Sequence, residues 1–127
     1  MLRACLITVG LLALLPDSAI AASNVIPAAF RGIWAPNSTD CQDVDGVNHL
    51  TIERRTFYFY EGRSDSNDFQ VEIVSPGRIR IRSVIEYGDG PEAVNMDFEL
   101  SPDRKALFWS GYGRDPQPKD PYVRCPR

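Results

Sequence analysis

The chain is poor in the residues that most enzymes and metalloproteins depend on. It has one histidine, His49, and three cysteines in 127 residues, and its only long apolar run lies at the very start. One histidine and scattered cysteines lack the spacing of a zinc site. Ser110 precedes Gly111 but follows Trp109, so the glycine-flanked turn that exposes a nucleophilic serine is missing. Asp43 and Asp45 pair two carboxylates on what reads as an exposed turn, where nothing would desolvate one and split their pKa values. Basic residues are not in excess either: 14 Lys and Arg against 17 Asp and Glu give a net charge of −3. A nucleic-acid partner, which favours a concentrated basic face, is not expected. Catalytic residues, a cofactor and a metal are likewise not expected.

What is present begins with a leader. Arg3 precedes the uncharged, mostly apolar stretch Ala4 to Leu15, and Ala19-Ile20-Ala21 supplies small residues before a cut after Ala21. Twelve residues make roughly 18 Å of helix, too short for the roughly 30 Å core of a bilayer. Residues 1–21 therefore read as a cleaved signal peptide, with no membrane span after cleavage and a periplasmic or secreted destination. The 127 residues less these 21 leave 106, residues 22–127, enough for a single domain. Removing the leader takes away Cys5 and one charge of each sign, Arg3 and Asp17. Cys41 and Cys125 remain near the two ends of the domain. In an oxidising compartment they are expected to form a disulfide.

The domain alternates apolar and polar residues and shows no helical period. Phe57 and Phe59 alternate with Tyr58 and Tyr60. Phe69, Val71 and Ile73 alternate with Gln70 and Glu72; Ile79 and Ile81 with Arg78, Arg80 and Arg82; Met96, Phe98 and Leu100 with Asn95, Asp97 and Glu99. Turn residues separate these runs at 61–68, Ser75-Pro76-Gly77, Gly88-Asp89-Gly90-Pro91 and Ser101-Pro102-Asp103. The pattern predicts strands at 30–35, 47–53, 56–61, 68–75, 78–87, 93–100, 106–112 and 121–125. The expected fold class is all-β: a small antiparallel up-and-down meander of about eight strands, closing into a barrel rather than a sandwich, with one disulfide. The proline-rich run 115–121 should cross the surface extended until Cys125 ties it down.

Several features could carry binding. Arg78, Arg80 and Arg82 share one strand face and could grip an anionic partner, yet the same stripe serves as solvated sheet surface. Keeping apolar residues together sets Glu72 beside Arg80 and Glu99, and Gln70, Arg82 and Asp97 in the next row. Asp43-Val44-Asp45-Gly46 is a fragment of a calcium loop, but aligning its glycine puts Cys41 and Ile52 at ligand places, which favours a plain turn. Asn37-Ser38-Thr39 matches a glycosylation acceptor and reads equally as a polar turn. Phe30, Trp34, Phe57, Phe59, Phe69, Phe98 and Phe108 or Trp109 could line a ligand cavity, although a barrel this small is expected to fill with side chains. Tyr58, Tyr60, Tyr87, Tyr112 and Tyr122 are candidate interface residues.

Gly32-Ile33-Trp34 on the first strand resembles the opening signature of lipocalin-type barrels. That resemblance implies a glycine that makes room and a tryptophan that plugs one end beneath a basic residue from the last strand, here Arg124. The chain is shorter than a true lipocalin and more similar to the reduced bacterial barrels that inhibit proteases or lysozymes in the cell envelope. A closer resemblance is to small secreted bacterial proteins that open Ile-Pro-x-x-Phe-x-Gly-x-Trp and close Tyr-x-Arg-Cys-Pro. Residues 26–34 and 122–126 fit both ends. This resemblance implies export and the Cys41–Cys125 pairing and transfers no site.

These readings converge on a non-catalytic binding protein with a protein partner in the cell envelope, with inhibition of an envelope hydrolase as one form such binding would take. Its contacts would use Tyr58, Tyr60 and the 62–68 turn, or Arg78, Arg80 and Arg82. Carriage of a small hydrophobic ligand inside the barrel is the alternative. A cavity would favour the carrier, and a packed interior with exposed aromatics the binder.

Overall fold

The computed structural model describes residues 23–60, 62–64, 69–111 and 120–127. The stretch expected to be a leader, most of the 62–68 turn, Tyr112 and most of the proline-rich run lie outside them. Among the described residues there are nine strands: β1 (Gly32–Ala35), β2 (Leu50–Ile52), β3 (Phe57–Phe59), β4 (Gly62–Ser64), β5 (Gln70–Ser75), β6 (Arg78–Tyr87), β7 (Gly90–Leu100), β8 (Ala106–Ser110) and β9 (Tyr122–Arg124). Each pairs antiparallel with its neighbour in the chain, except that β4 and β5 share one edge of β6. Ser64 faces Ile85 and Arg63 faces Glu86, while Gln70 to Ser75 face Arg82 to Arg78. The two short strands therefore behave as one interrupted strand. Pairing of β9 with β1 and of β4 with β6 closes a ring of eight strands, so the meander is a closed antiparallel barrel; β5 pairs with β6 alone, apart from an isolated bridge between Ser23 and Val71.

The first strand begins at Gly32 rather than at residue 30, because Ala28–Phe30 forms a 3₁₀ turn, and two larger differences from the sequence-based expectation shape the sheet. Gly62-Arg63-Ser64 reads as turn residues but forms β4, because the Ser64 hydroxyl replaces missing side-chain packing with hydrogen bonds. Ser64 Oγ donates to the Phe57 carbonyl at 3.0 Å and accepts from the Phe57 N–H at 2.8 Å. Thr56 Oγ1 lies 2.9 Å from both the Ser64 carbonyl oxygen and its hydroxyl, and both side chains are buried. The second difference is the β6–β7 register. Tyr87 pairs with Gly90 across a two-residue connection, Gly88-Asp89, which is tighter than the four-residue turn expected. Arg80 consequently faces Asp97 rather than Glu99, and Arg82 faces Asn95 rather than Asp97; the β5 partners, Glu72 for Arg80 and Gln70 for Arg82, are as expected.

The inward positions of the alternating strands form one core. Trp34, Leu50, Ile52, Phe57, Ile79, Ile81, Ile85, Met96, Phe98 and Leu107 are all nearly or fully buried in it, and Ile26 and Phe30 join from the segment ahead of β1. Phe57 sits at the centre of an aromatic group, 5.7 Å from Phe98 and 6.0 Å from both Phe59 and Phe69. Of the Phe108–Trp109 pair it is Trp109 that points inward, while Phe108 is exposed. Ile73 alternates with Val71 as expected yet is 44% exposed, and the β5–β6 register shifts between it and Ser75. Tyr122 is half-buried, its ring edge-on to Trp109 at 5.6 Å; burial pushes its hydroxyl pKa up, and the charge of Asp40 adds to the shift.

A disulfide joins Cys41 to Cys125, tying the short 3₁₀ turn Asp40–Gln42 to the residue after β9. That turn is further held by Asn37, whose side chain accepts from the Asp40 N–H at 2.9 Å and donates to its carboxylate at 2.8 Å.

The Gly32 end of the barrel is sealed by stacking. The Trp34 indole N–H donates to the Phe30 carbonyl at 2.9 Å, and the Arg124 guanidinium lies 4.1 Å from the Trp34 ring centroid. Arg124 also donates to the carbonyls of Arg31 at 2.7 Å and Ala29 at 2.6 Å. Gly32, at φ +131°, leaves room for this guanidinium: a methyl group there would stand 3.2 Å from it. Burial lowers the Arg124 pKa, with Arg127 contributing. Replacing Arg124 with Met keeps the stem but leaves two carbonyls without their donor, and should cost about 2 kcal/mol in urea unfolding. A loss below about 0.5 kcal/mol would show that water satisfies those carbonyls equally well.

Candidate binding surface

Two of the three stripe arginines are already engaged. Arg78 and Arg80 both bond Asp97, at 3.1 and 3.0 Å, and these partly exposed pairs compensate one another's charge. The bond to Asp97 raises the Arg80 pKa, with the Asp97 and Glu72 charges adding to it. Arg82 is exposed between Gln70 and Asn95. The stripe is thus a crosslinked sheet surface at its first two positions.

A concave feature opens instead where β3, β4 and β6 meet, at the same end of the barrel as Gly32. The turn from β2 to β3, residues 53–56, is closed by the Glu53 N–H donating to the Thr56 carbonyl at 2.9 Å, and its Arg54 carbonyl accepts from the Ile26 N–H at 2.8 Å. This holds the turn against the segment ahead of β1. Beside it lies an open groove of about 810 Å³ lined by Glu53, Arg54, Arg55, Thr56, Arg63, Ser64 and Glu86. Its inner wall is the Thr56–Ser64 pair, whose hydroxyls are spent on each other and on the backbone. Among the described residues its rim carries three guanidiniums and two carboxylates. Among the described residues the ion pairs both fall on Asp97, so Arg54, Arg55 and Arg63 face no carboxylate within 4.0 Å.

Arg63 links the groove to the tyrosine face. Its guanidinium lies 5.6 Å from the Tyr58 ring centroid, and Thr51, Tyr58, Arg63 and Glu86 form one row across β2, β3, β4 and β6. Tyr58 is half-buried and Tyr60, 65% exposed, stands at the β3–β4 turn above it. Tyr58 and Tyr60 thus lie next to the groove, whereas Arg78, Arg80 and Arg82 lie away along β6. Tyr122 is packed on Trp109, and the Tyr112 residue and Tyr87 side chain lie outside what is described. Arg54, Arg55 and Glu86 were not singled out by sequence; the one available signal was an arginine pair in a turn just ahead of the Phe57–Tyr60 run.

The remaining polar candidates serve local structure. His49 Nε2 lies 2.7 Å from the Asp40 carbonyl oxygen, and the Asp43 carboxylate accepts the N–H groups of Asp45 and Val47 at 3.1 and 3.2 Å. Among the described residues no group of three or more potential metal ligands converges, and no helix is long and apolar enough to cross a membrane.

Comparison with known proteins gives no identification. No protein-family model, curated protein or solved structure matches this chain.

Proposed function

We propose that the protein is exported, loses residues 1–21, and acts outside the cytoplasm as a non-catalytic module that binds a protein partner through the Tyr58, Tyr60 and Arg63 face. An inhibitor of an envelope hydrolase is the form of binder its small disulfide-closed barrel suits, since a rigid scaffold presents a surface with little ordering cost. The observation that carries this reading is the division of space: the barrel interior is occupied by Trp34, Phe57, Met96, Phe98 and their neighbours, while the groove and the exposed aromatic lie outside it. Carriage of a small hydrophobic ligand would need that interior for itself.

The test is affinity capture from envelope extract with the oxidised protein beginning at Ala22, alongside a Tyr58→Ala/Tyr60→Ala variant. The expected result is one protein recovered in stoichiometric amount and lost from the variant. Empty captures, or an apolar small molecule co-purifying with the protein in equal amount, would contradict the reading.

A further inference from the structure

We infer that the groove beside the 53–56 turn takes the carboxylates of an acidic peptide segment. This inference rests on the binding reading above and gives it a partner chemistry. Three observations support it. Arg54, Arg55 and Arg63 bring three guanidiniums to one concavity, and no described carboxylate lies within ion-pair distance of them. The inner hydroxyls of Thr56 and Ser64 are consumed internally, so recognition falls to the guanidiniums, whose planar donors match a carboxylate. Tyr58 braces one of them, Arg63, with its ring face, which limits the side-chain freedom that binding would otherwise remove.

The two carboxylates among the described rim residues favour a peptide over a polymer. Glu53 and Glu86 would repel a uniform polyanion such as polyphosphate or a nucleic-acid backbone, and the chain as a whole is acidic at −3. A peptide can set its acidic residues against the arginines and a neutral or basic residue against each glutamate. The mixed rim therefore fits a peptide with separated acidic positions, and the alternation of a strand or extended loop supplies that separation.

The experiment titrates the ¹⁵N-labelled oxidised protein with three probes: a capped five-residue peptide carrying two glutamates at alternate positions, its glutamine analogue, and tripolyphosphate. Amide shifts are expected at 53–56, 62–64 and 85–86, with the glutamate peptide binding about tenfold or more tightly than the glutamine peptide and weakening as salt rises. Arg54→Gln/Arg55→Gln and Arg63→Gln should each reduce that affinity severalfold; Arg54, Arg55 and Arg63 are exposed, so both variants keep the fold. Equal response to the glutamine peptide, tighter binding of tripolyphosphate, shifts elsewhere, or unchanged affinity in the Arg54→Gln/Arg55→Gln variant would overturn the inference. Capture separates it from the broader reading. A partner held equally by wild type and by Arg54→Gln/Arg55→Gln rejects the groove and keeps the binder; groove-specific peptide shifts with empty captures keep the groove and reject the binder.

Discussion

Replacing both Cys41 and Cys125 with serine is expected to lower the melting temperature by about 20 °C, through a loss of about 4.5 kcal/mol. The bridge spans 84 positions of sequence, so in the chain-entropy account its removal releases almost the whole domain in the unfolded state. The local ladder makes this loss hard to absorb. β9 is three residues long and pairs with β1 and β8 through two register positions each. Without the bridge, the seam that closes the barrel rests on those short ladders and on Arg124. Thermal melts of the oxidised, reduced and double-serine forms check this, and the last two should agree. A difference under about 1 kcal/mol between oxidised and double-serine protein would mean that the β9–β1 seam holds itself.

Trp34→Ala is expected to be nearly as damaging, at about 4 kcal/mol. The side chain is fully buried, donates to the Phe30 carbonyl, and supports Arg124 on its outer face. Its removal opens a cavity, leaves that carbonyl unpaired, and takes away the ring on which the guanidinium rests. Trp34→Phe keeps most of the volume and should cost clearly less, about 1–2 kcal/mol. Urea unfolding of the pair separates volume from hydrogen bonding. If alanine and phenylalanine behaved alike, the plug would owe its effect to the indole N–H rather than to its bulk. Against a typical domain stability of roughly 5–15 kcal/mol, either this alanine variant or the loss of the bridge would bring the fold close to its limit.

Alternation made the core legible in the sequence. Met96, Phe98 and Leu100, or Ile79 and Ile81, can satisfy a two-residue period only by facing one side, and they do. The pairing of Cys41 with Cys125 followed from their being the two cysteines outside the expected leader. The β6–β7 register was less accessible because Gly88-Asp89-Gly90-Pro91 holds turn residues at every position, and which two of them make the turn depends on strand pairing. β4 was hidden for a different reason. Gly62, Arg63 and Ser64 have little strand preference of their own, and the side-chain bonds that hold Ser64 come from Thr56 at the end of the β2–β3 turn and Phe57 at the start of β3. The groove combines all of these: Arg54 and Arg55 come from one turn, Arg63 and Ser64 from that unrecognised strand, and Glu86 from the far end of β6. No periodicity links them, and only closure of the barrel brings them together.

A ring closed at two seams around a filled interior leaves the outer surface for partners. Cross-strand nuclear Overhauser contacts in the oxidised protein test this most directly. The closed barrel predicts backbone contacts between Ser64 and Ile85 across β4–β6 and between Trp34 and Arg124 across β1–β9, with slowly exchanging amides on both sides. Absence of either set, with rapid exchange along β4 or β9, would mean an open sheet with an accessible core, and the assignment of binding to the outer face would fail with it.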